Sequence, residues 1–307
     1  MHFAVLFLAA LLLLHLLSVV AVAEISVHPP VMRRPCDTDG MAMNVALSTG
    51  AAAQRIKIQA DDGITLSAWW LKLPAETDDH KAVLVCHGVA DTAFGVLGAA
   101  LMFLRDGYSV LAPDNRGHGG SGAFVTYGVK ESLDIARWQK WMAAQGITEC
   151  HGFGESLGAS SLLQSLKAGA QFTSVIAECP FSSFARVAFD RVQRVNASFL
   201  PKFLSQPLTN LWVKEMLFYL RLRYGVDLSE ACTSEAVKTI ETPILLIHGL
   251  ADHETPAHHS EEIAAINRNI QLWLVPDGQH TGCFAADPDG FESRVINFAR
   301  SAAGHPT

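Results

Sequence analysis

The feature that most constrains this chain is the pentapeptide Gly154-Glu155-Ser156-Leu157-Gly158. It is set between a short apolar run, Cys150 to Phe153, and a stretch from Leu157 to Leu166 with small and apolar residues at helical spacing. A glycine two places either side of a serine lets a chain turn from strand into helix within one residue. The residue at the tip is held in a strained backbone conformation with its hydroxyl pushed out past the sheet edge, and the missing Cβ atoms let strand and helix pass. Ser156 is therefore the candidate nucleophile.

The rest of the chain fits around that turn. Arg55 to Ile58 and Ile64 to Leu73 alternate about Asp61-Asp62-Gly63, a hairpin signal. Val83 to Cys86 reads as a buried strand, Thr92 to Arg105 as a helix, and Tyr108 to Ala112 as the next strand. Glu131 to Ala144 carries Ile135, Trp138 and Met142 on one face, as a helix packed on a sheet does. Strands follow at Ser174 to Glu178, Pro243 to His248 and Ile270 to Val275, and Phe291 to Ala303 closes as a helix. Apolar strands alternating with helices imply an α/β fold, a mostly parallel sheet covered on both faces. With 307 residues, one such domain over 54–307 is sufficient. From 185 to 239 no strand is read. This helical insert carries Phe199, Phe203, Leu204, Leu211, Trp212, Met216, Phe218 and Tyr219, and is expected to cap Ser156.

Phe3 to Ala23 is apolar except for His15 and Ser18, and long enough to cross a bilayer, which takes about 20 residues. Ala21-Val22-Ala23 before Glu24 also fits the cleavage site of an export signal, although the run is longer than the usual signal core and no Lys or Arg precedes it. The expectation is membrane association through residues 3–23, or export to the periplasm after cleavage near Ala23. If the segment is retained, Arg33 and Arg34 bias the domain toward the cytoplasmic side. Residues 24–53, with Pro29, Pro30, Pro35 and the stretch from Gly40 to Gly50, read as a linker. A formal charge of −7 argues against a nucleic-acid partner. Six cysteines in a chain this long are no disulfide framework, and Cys86, Cys150 and Cys179 fall on strands expected to be buried. Without a Cys-x-x-Cys pair or a His-Glu-x-x-His helix, nothing calls for a metal. The glycine-rich loop Asp114 to Gly122 lacks both the P-loop ending and the dinucleotide spacing, so no cofactor is expected.

A serine hydroxyl needs a base to take its proton, and the base needs a carboxylate to fix its tautomer. In an open α/β sheet such groups gather past the carboxyl ends of the strands. Asp252 follows His248-Gly249-Leu250-Ala251 at the end of one late strand. His280 follows Val275-Pro276-Asp277-Gly278-Gln279 at the end of the last. Among 13 histidines, His118, His151, His248, His253, His258 and His259 are rivals, but His280 alone combines a late strand end with a position after Asp252. Glu254 and Asp277 stand behind Asp252, and Asp277 suits an Asp-Gly turn. Glu155 is expected to be charged, facing solvent or a structural partner. The oxyanion would be held by the backbone N–H of Leu157 and by one from the loop after His87-Gly88, most simply Val89, with Ala90 open.

Three further motifs, Val85-Cys86-His87-Gly88-Val89, Asp114-Asn115-Arg116-Gly117-His118-Gly119-Gly120-Ser121-Gly122 and Cys179-Pro180-Phe181-Ser182-Ser183-Phe184, carry a resemblance. From about Gln54 to Ala303 the chain resembles the α/β-hydrolase superfamily, and within it bacterial proteins of the serine aminopeptidase/prolyl-oligopeptidase-like branch and their esterase relatives. The resemblance implies hydrolysis of a small-molecule acyl substrate through an acyl-enzyme on Ser156. This chain carries no propeller domain of the kind that restricts oligopeptidases to short peptides, which moves the expectation toward carboxylic esters or thioesters. An amidase or peptidase using the same residues, and a non-catalytic binding protein on the same scaffold, are the alternatives. Dehalogenases and epoxide hydrolases of this superfamily need an aspartate where Ser156 stands. From Phe181 to Glu230 seven basic residues face four acidic ones. That balance suits either an apolar acyl site with a basic rim toward anionic headgroups or a lid with a solvated face.

Overall fold

The alternating apolar runs build an eight-stranded sheet in the computed structural model, which describes residues 2–31, 38–74 and 80–305. The strands are β1 (Ala52–Gln59), β2 (Thr65–Lys72), β3 (Lys81–Cys86), β4 (Ser109–Pro113), β5 (Glu149–Glu155), β6 (Ser174–Glu178), β7 (Ile244–Gly249) and β8 (Ile270–Val275). Their order is β1-β2-β4-β3-β5-β6-β7-β8. The pairs β1–β2 and β2–β4 are antiparallel, and every later pair is parallel. The helices are α1 (His2–Val27), α2 (Thr38–Thr49), α3 (Leu97–Arg105), α4 (Glu131–Ala144), α5 (Leu157–Lys167), α6 (Phe184–Ala197), α7 (Lys202–Tyr224), α8 (Thr233–Ala236), α9 (His258–Ala264), α10 (Cys283–Ala286) and α11 (Pro288–Ala302).

Strand alternation divides the core into two layers. Val83, Val85, Val110, Phe153, Ile176 and Leu245 point to one face, under α2, α3 and α11. Leu84, Cys86, Leu111, Val175, Ala177 and Leu246 point to the other, under α4, α5 and α9. Because both faces are covered, the central strands are apolar throughout. A third cluster lies off the sheet, where Leu157 and Tyr127 meet Phe184 and Val187 of α6, Trp212 and Met216 of α7, and Val19, Ala23 and Val27 of α1.

Two expectations are corrected. Residues 24–53 are not a plain linker. Helix α1 runs on to Val27, and α2 occupies Thr38–Thr49, with Ala42 and Ala46 fully buried one turn apart against the α3 layer. Two small residues at i and i+4 were the available signal, obscured by the flanking glycines. Arg33, Arg34, Pro35 and Cys36 lie outside the described residues. Thr92 is irregular, residues 93–96 are turns, and helix α3 begins only at Leu97. There the Asp91 carboxylate accepts the Thr92 N–H at 2.6 Å and the Thr92 hydroxyl accepts the Phe94 N–H at 3.3 Å, local bonds that compete with a helix.

Candidate active site

Ser156 stands between β5 and α5 at φ 51° and ψ −110°, a conformation an L-residue adopts only under constraint. The constraint is visible. A Cβ on Gly158 would fall on the Cys86 carbonyl, and one on Gly154 would come within 2.7 Å of the Ala159 nitrogen, so the crossing requires glycine at both places. The Ser156 N–H donates to the Glu178 carbonyl at 2.8 Å, fastening the turn to β6.

Asp252 and His280 reach the same rim from β7 and β8. The Leu250 N–H donates to the Val275 carbonyl at 2.8 Å, and the Ala251 N–H to the Gly278 carbonyl at 3.0 Å, which locks the two loops together. One Asp252 oxygen accepts the N–H groups of Glu254 and Thr255, at 2.8 and 2.9 Å. The other accepts the His280 Nδ1–H at 2.7 Å. His280 Nε2 lies 2.9 Å from the Ser156 hydroxyl oxygen. Burial works against the Asp252 charge, but hydrogen bonds from His248 and His280 override it and hold the carboxyl well below the usual range. Burial alone would lower the His280 imidazole; the Asp252 carboxylate, helped by the Cys179 thiol, raises it to about 9. The arrangement therefore has an anion, an imidazole aligned by it and a hydroxyl in one line, with Ser156 nearly buried.

The loop after β3 supplies the remaining geometry. The Ala90 N–H donates to His118 Nε2 at 3.0 Å and is thereby occupied. Among the described residues the N–H groups of Val89 and Leu157 donate to no protein acceptor. His118 is thus a brace. Burial lowers its pKa, which keeps Nε2 free to accept. Asp114 of the same motif accepts the Ala93 and Gly120 N–H groups, each at 2.9 Å. Strain gathers at this rim: Ala90, Ser156, Cys179 and Thr281 have φ of 63°, 51°, 50° and 50°, one in each loop after β3, β5, β6 and β8. Such residues cost on the order of 1–3 kcal/mol each and cluster where geometry is imposed.

Of the rival histidines, His253 is exposed at the surface, and four others are engaged elsewhere. His151 pairs with Ser174 inside the sheet, His248 with Ser260 and the Thr255 carbonyl, and His258 and His259 with Asp190. Glu155 differs from expectation. Burial, with the Glu178 carboxyl beside it, pushes its pKa up to about 8, so it is protonated at neutral pH. Burial likewise raises Glu178, whose Oε1 accepts the Cys283 N–H at 2.9 Å and holds the start of α10 against β6. The sequence shows His118 only as a rival base and Glu178 only as a strand end, because the role of each is on a segment distant in the chain. Cys179 lies one residue past β6 and is buried, its thiol near those of Cys283 and near His280. A cavity of about 210 Å³ flanks the site between Gly98 and Met102 of α3 and Glu155, Glu178, Thr281 and Phe284.

Among the described residues, three groups bring metal-ligating atoms within 4.8 Å of one another: Glu178-Cys179-Cys283, Cys179-His248-Asp252 and Asp190-His258-His259. Their donors are committed elsewhere. The thiol of Cys179 is pushed well above its ordinary pKa by the Cys283 thiol and by burial, both nitrogens of His248 are bonded, and the Arg186 guanidinium sits 3.7 Å from Asp190.

A mixed sheet with an antiparallel leading hairpin, parallel strands beyond it and a strand–serine–helix turn after β5 defines the alpha/beta-hydrolase class. The chain belongs to the alpha/beta hydrolase family, whose model matches residues 83–294. It is 29% identical over 236 residues to the uncharacterized protein YqkD of Bacillus subtilis, covering 73% of this chain and 72% of that one. It is 22% identical over 262 residues to the uncharacterized protein YfhR of Escherichia coli K12, covering 82% of each. Among solved structures it is similar to the esterase Pf2001 of Pyrococcus furiosus, with TM-score 0.66 and 22% identity over 89% of this chain and 98% of that one. It is also similar to the serine hydrolase CCSP0084 of Cycloclasticus zankles, with TM-score 0.55 and 18% identity over 80% of this chain and 98% of that one.

Proposed function

We propose that this hydrolase cleaves carboxylic esters, thioesters included, through an acyl-enzyme on Ser156. The observation that carries the reading is the unbroken line from Asp252 through His280 to Ser156, at 2.7 and 2.9 Å. His280 takes the Ser156 proton as the hydroxyl attacks the acyl carbon, then returns it to the leaving alcohol. Asp252 holds the imidazole in the Nδ1–H tautomer and stabilises the imidazolium. The developing oxyanion is met by the free N–H groups of Leu157 and Val89, worth on the order of 10²–10³ in rate per donor in such sites. Water then repeats the sequence on the acyl-enzyme. The esterase named among the structural relatives agrees with this choice of substrate bond.

A fluorophosphonate probe tests the reading. The folded wild type should be labelled at Ser156, and Ser156→Ala should not. An unlabelled, folded wild type would turn the case toward a binding protein. Because the His280 pKa is raised to about 9, imidazolium dominates at neutral pH and the base form grows on alkalinisation. Ester turnover should therefore climb with pH toward about 9 and then level.

A further inference from the structure

The first helix and the insert form one apolar surface. All buried residues of α1, Val19, Ala23 and Val27, fall in its second half. That half is stitched to α7. His15 Nε2 lies 2.6 Å from the Glu215 carboxylate, Trp212 donates to the Ser18 hydroxyl at 3.2 Å, and Tyr219 and Tyr224 both donate to Glu24 at 2.6 Å. The Val125 N–H donates to the Val27 carbonyl at 2.9 Å, adding a backbone tie to the hydrolase domain. Residues 15–27 are therefore part of the folded protein.

What remains free is 2–14. Thirteen helical residues extend about 20 Å, whereas the hydrocarbon core of a bilayer is about 30 Å thick. The projecting half of α1 is some 10 Å too short to cross unless the body it is fastened to sinks into the bilayer. The insert has the surface for that. Leu204, Leu208, Leu211, Phe218 and Leu222 are exposed and recur on one face of α7, with Phe199 and Phe203 beside them at 82% and 74% exposure. Glu215 falls within the same stripe, so the stripe continues directly onto α1 through its bond to His15. Between Arg194 and Lys214 the sequence has no acidic residue, and Arg194, Lys202 and Lys214 are exposed. That is the charge an anionic headgroup layer favours, and long basic side chains reach that layer while their stems stay in apolar surroundings.

We infer that the insert, from Phe199 to Leu211, is immersed about 10 Å into one leaflet beside α1, so that Ser156 draws its acyl substrate from the bilayer. The partner is the phospholipid bilayer, and the substrate class is an ester lipid resident in it. The last step rests on the esterase reading above. The connection to the site is the cluster in which α1, α6, α7 and Leu157 pack together.

Full-length protein in phosphatidylcholine–phosphatidylglycerol vesicles tests this. A photoreactive benzoylphenylalanine in place of Phe203 should crosslink to lipid, as one in place of Leu8 on α1 should, and one in place of Lys57 on the edge strand should not. Lipid adducts at position 8 with none at 203 would overturn the immersion. Independently, Phe203→Ser/Leu208→Ser should lower turnover of a long-chain ester dispersed in the vesicles by about tenfold or more. Turnover of a soluble short-chain ester should stay unchanged. Equal effects on both esters would overturn the route through the bilayer. Wild type inactive on the soluble ester as well would count against the esterase reading, and the crosslinking would still decide the immersion.

Discussion

Two regions of this molecule are positioned by different means. At the rim around Ser156, place is set by the main chain: the Ser156 N–H on the Glu178 carbonyl, the Ala251 N–H on the Gly278 carbonyl, and glycines where any Cβ would collide. At the seam between α1 and α7, place is set by side chains, a band of apolar contacts pinned by Ser18, Glu24 and Glu215. Backbone bonds fix atoms to fractions of an ångström, which bond-making requires. Side-chain packing tolerates repacking, which the proposed bilayer-facing surface can use. Chemistry and substrate access are thus separable in this chain, and substitutions should reveal them so.

The sharpest break is Asp252→Asn. It leaves the loops in place but removes the anion that fixes the imidazole, so ester turnover should fall about 10⁴-fold. With the carboxylate gone, the midpoint of the pH profile should move down from about 9. A modest loss with an unmoved midpoint would detach Asp252 from the line. Next is Trp212→Ala in the seam. Deleting a nearly buried indole should cost about 3–5 kcal/mol. Hydrogen exchange should show that loss in α1 and α7 with β5 and β6 still protected; uniform loss of protection would mean the two regions fold as one. His118→Ala should be milder. It frees the Ala90 N–H and slackens the loop presenting Val89, and should cost less than the 10²–10³ of a lost donor, read in kcat with KM little changed.

The smallest effect is expected at Glu155. Its carboxyl has a folded-state pKa of about 8 against an ordinary 4.5, so the folded state holds a proton that the unfolded state releases. Stability should therefore decline as pH rises from about 4.5 to 8 and stay low above it. Glu155→Gln should flatten that slope in denaturant titrations. A slope unchanged by the substitution would assign the decline to other groups.

The strands, the elbow and the order Ser156, Asp252, His280 could be read from the chain because each depends on residues within a few positions: apolar runs, paired glycines, a strand followed by an acid or a histidine. What was hidden depends on distant partners. His118 braces Ala90 across 28 positions, and Glu178 holds Cys283 across 105. The charge on Glu155 was misjudged for the same reason, since Glu178 arrives from the neighbouring strand. Helix α2 was obscured by its glycines. The stitching of α1 to α7 spans about 200 positions and left no trace beyond scattered polar residues in an apolar run.

The Ser156 hydroxyl and the His280 imidazole are 124 positions apart. During synthesis the serine and its elbow emerge well before the histidine, and only after β8 docks beside β7 does the pair exist. A nascent or truncated polypeptide ending before that strand would already display the apolar first helix yet hold a hydroxyl with no imidazole beside it. On the proposed mechanism, hydrolytic competence is thereby deferred until the last strand is in register.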